Sequence, residues 1–507
     1  MTQGTRYGKL LSVAIARTFA GLMMAIAGPA FAQTDKTLTV AIGAEPATML
    51  PRDACRYETN FITDNIYERL TRRQPDGTVV GWLAESFEQT GDLTWRFKLR
   101  PGVSFSNGEP LNASAVVETI KYYFNPDVAS RCRGDYSTIE SATKVDDMTV
   151  DIKTKTVDPT IPSRLLKLYV IAPNWLNTTS DEVTATSAVG TGPYTFDEWT
   201  KGDHITLKAN PTYWGEEKPT IDTVRIVARA EAAVRAAMVQ AGEADIAVNI
   251  SQEQAQPLPK SVTEHTTEAV FVRLNVQNPV LSDVKVRKAI AEAIDTDSIR
   301  EALYPGVSTP LNGQIVRPSA LGHNSDLAPY PFNVDNAKSL ADAAGASGKE
   351  LKLVVRTDLI PNVSELAEAM QGMLQEAGLK ITLVPMEAAP WRDLLFANKE
   401  GQERTDMIII SASNIQFDTS RVMNFYYGTG QFSHSDDAAF QADMDKAGVL
   451  SGDERAAAYR KLWAEAYDKY WVVPVFGIDY IHGLSERTEW APRDDGFVYF
   501  NTMKLSQ

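Results

Sequence analysis

"AVGTGPYTFDEWTKGDHITLKANPTYWG", residues Ala188 to Gly215, carries a lone G-x-G at Gly190 and Gly192. A second, "GTGQF", begins at Gly428. Neither belongs to a longer phosphate-cradling loop, so both glycine pairs read as turn geometry. Outward from this stretch the chain alternates strands and helices. "LTWRFKLR" sets Trp95, Phe97 and Leu99 on one side and Arg96, Lys98 and Arg100 on the other, the mark of a half-buried strand. Asn107-Gly108 then predicts a hairpin-like turn. "TLTVAIG" from Thr37, "TVDIKTK" from Thr149 and "DTVRIVA" from Asp222 are further strands.

"NFITDNIYERL" (Asn60 to Leu70) predicts an amphipathic helix, though Phe61, Asn65, Glu68 and Arg69 follow its seam imperfectly. The second half is richer in helix. Val286, Ile290, Ala293 and Ile294 share one face, with Ser282 or Asp283 as N-cap. Leu366, Met370, Met373, Leu374 and Ala377 share another, so both methionines read as core. Asn362 with Glu365 resembles a capping box, and Gly378 a C′ stop. Helices alternate with "ELKLVVR", "KITLVP", "DMIIIS" and "WVVPVFG", which predicts a mostly parallel sheet covered on both faces.

At 507 residues the chain is long enough for two to four domains. Its 65 acidic residues outnumber 50 basic ones, giving a net charge of -15. A nucleic-acid partner is excluded, because binding one needs a basic footprint. Arg6, Lys9 and Arg17 precede a short apolar run, "TFAGLMMAIAG", and Ala30-Phe31-Ala32. This pattern predicts a secretory signal peptide over residues 1–32, cleaved after Ala32. In an oxidising compartment Cys55 and Cys132 are expected to form a disulfide. Closing so long a loop contributes up to about 4.5 kcal/mol in the chain-entropy account.

Motifs for catalysis are missing. His204, His265, His323, His434 and His482 lie at no metal-ligand spacing from one another and read as surface or satisfied polar residues. His434 beside Asp436 and Asp437 is the best metal candidate, but no third ligand stands near it in sequence, so no metal is expected. There is no Walker A loop, no G-x-S-x-G elbow and no sign of a cofactor. A secreted hydrolase with a hidden carboxylate pair is the remote alternative.

Ala188 to Gly215 resembles a segment of the extracytoplasmic solute-binding proteins that serve peptide, nickel and related ABC importers, called family 5 or cluster C. "LAESFEQTGDLTWRFKLRPGVSFSNGEPLNASAVV" from Leu83, "VRKAIAEAIDTDSIREALYPG" from Val286, "PYPFNVDNAKSLADAAG" from Pro329 and "LQEAGLKITLVPMEAAPW" from Leu374 resemble it in type and order. The resemblance implies a two-lobed α/β periplasmic-binding-protein fold, with two hinge-crossing strands and a subdomain inserted in lobe I. The expected boundaries are 33–270 for lobe I, about 79–188 for the insert, 271–480 for lobe II and 481–507 for a return to lobe I. The crossings are expected near Glu268 to Val276 and Phe476 to Gly483.

The implied function is capture of a peptide or peptide-like solute by lobe closure, without catalysis, by a periplasmic monomer that delivers to ABC importer permease subunits. Micromolar retention asks for about 8 kcal/mol, within reach of a few buried polar contacts. Peptide-binding members carry Gly-Trp-x-x-Asp after the strand corresponding to "DMIIIS", its Asp pairing with the peptide ammonium. Here Ser411, Ala412 and Ile415 stand at the Gly, Trp and Asp. Ile415 cannot compensate a buried positive charge. Asp418, three residues on, is the expected substitute. A non-peptide solute, such as an opine, sugar conjugate or modified amino acid, is the alternative. The remaining expected ligand contacts are Ser413, Asn414, Arg421, Trp391, and, on the first lobe, Arg56 and Tyr57. A Cys55–Cys132 bridge would brace that early loop against the insert.

Overall fold

A computed structural model describes residues 36–53, 57–75, 77–125, 133–396 and 404–506. Cys55, Cys132 and Arg56 lie outside the described residues, as does the stretch read as a signal peptide. Two large sheets organise the described chain. The first has seven strands in the order Lys260–Glu264, Tyr480–Leu484, Ile246–Ile250, Thr37–Ile42, Thr223–Ala228, His204–Ala209 and Tyr194–Thr200. The second has six: Ser308–Thr309, Val472–Ile478, Glu268–Leu274, Met407–Ser413, Glu350–Arg356 and Lys380–Met386. Each sheet with its helices forms one α/β lobe.

The isoleucine run shows why the second sheet is interior on both sides. Met407 and Ile409 pack with Val270 and Val272 in one core, while Ile408 and Ile410 pack with Phe271 and Ala269 in another. A strand covered on both faces has no polar side to show, so it reads as continuous apolar sequence. The expected mostly parallel sheet is not found. Only Glu350–Arg356 pairs in parallel, with Lys380–Met386 and Met407–Ser413. Glu268–Leu274 and Val472–Ile478 pair antiparallel. Glu268–Leu274 enters from the other lobe and Val472–Ile478 leaves for it, so the two run in opposite directions where the chain crosses, and no βαβ unit joins them.

The chain passes between the sheets twice, at 265–267 between Lys260–Glu264 and Glu268–Leu274, and at Asp479 between Val472–Ile478 and Tyr480–Leu484. The first crossing therefore lies just before the expected stretch, and the second falls inside its own. Asp479 fastens both. Its carboxylate accepts from the Thr266 backbone N–H at 3.0 Å, meets His265 Nδ1 at 3.0 Å and pairs with Arg317. Gly477 makes room for that arginine, since a Cβ there would stand 2.6 Å from its Nε.

A four-stranded antiparallel sheet, Ala84–Gly91, Thr94–Leu99, Thr149–Thr154 and Ile139–Asp146, lies within the first lobe's segment of chain. The helix Ala113–Phe124 packs on it, its first turn capped by the Asn112 side chain at 3.1 Å from Ala115 N.

Several local expectations change. Gly190 and Gly192 answer to space rather than turn geometry: a Cβ would come within 2.0 Å of Ile66 O at the first and 2.4 Å of Asn65 O at the second. The helix from Tyr57 ends at Ile66, and Asp64, Asn65, Glu68 and Arg69 are all buried. Asn65 exchanges hydrogen bonds with Val498 O and Phe500 N on the returning C-terminal segment, so its polar atoms are satisfied inside. After Asp283 the chain forms two helices, Val284–Ala293 and Thr296–Leu303, each capped by an aspartate side chain, with Asp283 the N-cap of the first. Asn362 precedes Val363–Glu376 in a left-handed conformation and gives its amide to Leu303 O, so no capping box forms. His434 and His482 are buried, and His482 is satisfied there, its Nδ1 accepting the Asn249 N–H at 3.2 Å and its Nε2 bonded to Glu264 at 3.0 Å.

Candidate functional site: a cavity between the lobes

The polar loop after Met407–Ser413 meets the first lobe. Its helix Thr419–Tyr426 begins with Arg421 in the first turn. Arg421 Nε donates to Asp135 Oδ1 at 3.0 Å, and Nη1 donates to Ser413 O. Asp135 belongs to the short turn Arg133–Tyr136, whose Tyr136 is buried in the core of the four-stranded sheet. The ion pair therefore spans the two lobes. Nearby, Arg73 of the first lobe lies over the ring of Phe417, 3.1 Å from its centroid. Phe417 holds φ at 53°, an uncommon backbone state for a non-glycine residue that aims the ring across the cleft.

Behind these contacts lies a cavity of about 230 Å³. The first lobe lines it with Asn60, Asp135, Tyr136 and Lys167, and the returning C-terminal segment adds Asp495. The first crossing contributes Glu264, Thr266 and Thr267, and the second lobe contributes Glu268, Ser413, Ile415 and Arg421. A wider groove of about 740 Å³ adjoins it through Asp135, Glu268, Ser413 and Arg421, and reaches Ser411, Phe396 and Phe425.

Most charges on this wall already have partners. Asp135 is held by Arg421, Asp495 by Arg493 at 2.9 Å, and Glu264 by His482 at 3.0 Å. Glu268 accepts from Ser411 Oγ at 2.7 Å and Tyr480 OH at 2.5 Å, both neutral donors. Lys167 rests over the ring of Phe497, 4.1 Å from its centroid, with no carboxylate in contact. Burial pulls its pKa down from 10.5 to about 8, against a smaller upward pull from Asp64. The amide oxygen of Asn60, 6% exposed, has no donor.

The expected contacts divide. Ser411, Ser413 and Arg421 line the cavity or groove, and so does Ile415, the residue aligned with the ammonium-binding Asp. Asn414 is buried beneath the loop, its backbone N–H bonded to Thr267 Oγ1 at 3.1 Å and its side-chain amide unpartnered. Asp418 does not reach the cavity. It caps Thr419–Tyr426 and pairs with Arg455 at 2.8 and 3.0 Å, so both carboxylate oxygens are engaged. Trp391 packs in the second lobe's core with Arg356 over its ring at 5.6 Å. Tyr57 opens the first helix, and Arg56 lies outside the described residues. Lys167, Glu268, Asn60 and Asp135 were not anticipated from the sequence. Glu268 alone carried a signal, as the acid that opens a predicted crossing strand.

Among the described residues no three His, Cys, Asp or Glu side chains gather as metal ligands, and no helix is long and apolar enough to cross a membrane.

The chain is 22% identical to the PBP AgaA from A. tumefaciens R10, solved in complex with agropinic acid, with a TM-score of 0.79 over 93% of this chain and 99% of that one. DppA from Helicobacter pylori, in complex with the peptide STSA, is 22% identical with a TM-score of 0.77, over 93% and 98%. These likenesses fix the two-lobed periplasmic binding protein fold. The glutathione-binding protein GsiB of Pectobacterium atrosepticum is 26% identical over 461 residues, 88% of each chain. The description "Bacterial extracellular solute-binding proteins, family 5 Middle" matches residues 78–434, well over half of the sequence. This chain belongs to the family 5 bacterial extracellular solute-binding proteins.

Proposed function

We propose that the chain is the solute-capturing subunit of a peptide-type ABC importer, holding a small peptide or peptide-like solute between its lobes and releasing it to the permease. The observation that carries this reading is the cavity walled by both lobes, with two crossings on one side and the Arg421–Asp135 pair across its mouth. Contacts made only when the lobes meet shift an open–closed equilibrium toward the closed form. In this reading the protein acts by binding and not by catalysis, and its membership of a family of solute-binding proteins supports that. It works as a monomer in the periplasm after removal of residues 1–32.

The two lobes are proposed near residues 33–270 and 271–480, with an insert near 79–188 and a return over 481–507; the membership of the sheets supports a two-lobed division, with its edges at 265–267 and Asp479. A Cys55–Cys132 bridge would be expected in that compartment, and equal thiol counts in denaturant with and without reductant would exclude it. A non-peptide solute is the second reading, favoured by Ile415 in the cavity wall where an acid would serve a peptide. The relative solved with agropinic acid makes an opine-like solute part of that reading.

Thermal denaturation against a solute library is the test. A compound that stabilises the protein and is recovered unchanged supports capture. Turnover of it by the pure protein defeats the reading.

A further inference from the structure

Hydrogen bonds and ion pairs within the protein engage most of the cavity's charges, and what is left over is informative. Asp135 and Asp495 each have an arginine, and Glu264, buried, accepts from the Nε2–H of His482, whose Nδ1 accepts the Asn249 backbone N–H. Lys167 and Glu268 are the remaining two charged lining residues, and neither makes an ion pair, with each other or with any other described residue. They come from opposite lobes: Lys167 from the turn Leu165–Lys167, and Glu268 from the first position of the strand Glu268–Leu274. Both side chains are only half-buried, with surface left toward the cavity.

The Lys167 ammonium has the Phe497 ring in contact, and Asp64, Asp135 and Asp495 act on it from beyond ion-pair distance, each already engaged by an arginine, so it is short of hydrogen-bond acceptors. Its depressed pKa, about 8, is the cost of that burial. A carboxylate entering the cavity would supply the missing acceptors. Glu268 has the opposite shortage. Two hydroxyl donors hold one lone pair on each oxygen and orient the group, while its charge stays uncompensated. Asn60 adds a second acceptor, a buried amide oxygen without a donor.

Glu268 also pairs in register with Ser413 on the neighbouring strand, two residues before Ile415. An acid is thus present beside the position where Ile415 removes one, contributed by the crossing strand rather than by the loop.

We infer that the solute is a small zwitterion, its carboxylate held by Lys167 of the first lobe and its ammonium or other cationic group by Glu268 of the second. This rests on the solute-capture reading and names its ligand class. Such a ligand completes an ionic chain across the cleft only when the lobes are closed, which couples recognition to closure.

The experiment uses the full mature chain and three sets of probes. The first holds amino acids, dipeptides and glutathione, each also N-acetylated and C-amidated. The second holds neutral sugars, simple monocarboxylates and monoamines. The third is a low-molecular-weight extract, with bound solute identified by mass spectrometry. Thermal shift finds binders and calorimetry measures them.

The expected result is a zwitterion that loses at least tenfold in affinity when either end is blocked. Lys167→Met should abolish the penalty for amidation and leave that for acetylation. Glu268→Gln should do the reverse. Both variants should keep their cooperative unfolding, which separates recognition from folding. The inference is overturned if the best binder lacks either charge, or if each penalty survives in its matching variant. Binding of neutral or singly charged solutes alone would leave solute capture standing and remove the zwitterion. If none of the three sets stabilises the protein, solute capture itself fails.

Discussion

Glu68 and Glu268 are both carboxylates without a cationic partner, yet their surroundings assign them opposite roles. Glu68 is buried in the first lobe and accepts four hydrogen bonds. Trp82 Nε1 and Tyr213 OH reach one oxygen at 2.7 and 2.9 Å, and Trp214 Nε1 and Thr191 Oγ1 reach the other at 2.7 and 2.8 Å. Burial raises its pKa, and those donors offset part of the rise. Glu268 has two donors and faces a cavity. Saturation separates the two: an acid whose lone pairs are filled by the fold is architecture, and one left half-filled at a cavity wall is available to a ligand.

The largest effect should come from breaking the saturated site. Glu68→Ala would leave four buried donors without an acceptor and cost about 4 kcal/mol, about 1 for each. Urea denaturation would read that loss, while the solute affinity of the folded protein stays as in the parent. A loss of affinity with little loss of stability would invert the comparison.

Asp418 extends the contrast, because it is a saturated acid placed close to the cavity loop. Asp418→Ala would strand the buried Arg455 and is expected to destabilise by about 3 kcal/mol. Retention of parental stability would return Asp418 to the set of candidate ligand contacts.

The third expectation sharpens the open side of the comparison through Lys167. Affinity for a carboxylate-bearing solute should fall roughly tenfold per pH unit above about 8, as the unliganded ammonium loses its proton. Lys167→Arg should remove that dependence when the solute's own cationic group does not titrate in the same range, as with a guanidinium or a quaternary ammonium. The stability of the ligand-free protein has the opposite sign. Between about 8 and 10.5 the unfolded lysine keeps a proton that the folded one has lost, so this group favours folding as pH rises through that window. Calorimetric titrations and denaturation curves at matched pH check both signs.

The smallest effect belongs to the ion pair across the cleft. Asp135 and Arg421 are both partly exposed, so Asp135→Asn should shift the open–closed balance by about 1 kcal/mol or less toward open. Small-angle scattering of the ligand-free protein would show a larger radius of gyration. No change in shape would mean that the pair follows closure without stabilising it.

What the sequence made legible follows the reach of each interaction. Ile408 to Ile410 declared a doubly covered strand because local alternation was absent, and the helix faces at Val286 and Leu366 followed their own periodicity. The aligned position of Ile415 at the cavity wall came from the family resemblance. Asp418 was misjudged because its partner, Arg455, lies 37 residues further along the chain. Lys167 had no periodic pattern to mark it, since it ends a three-residue turn. Its lack of a carboxylate within ion-pair distance is a fact of three-dimensional neighbourhood, and so is the half-filled state of Glu268. Saturation of lone pairs by residues over a hundred positions away is not written in any local stretch.

Asp479 has a consequence for how the lobes can move. It lies in one crossing and takes donors from Thr266 and His265 in the other. A carboxylate shared by both crossings ties two swivels together, so while those bonds hold the two strands turn jointly. The angle at which that rotation stops then depends on what lies inside. A solute too bulky for the cavity would halt it before Arg421 reached Asp135, and a fitting one would let the two side chains meet. The gap between those two side chains would then report the size of the cargo.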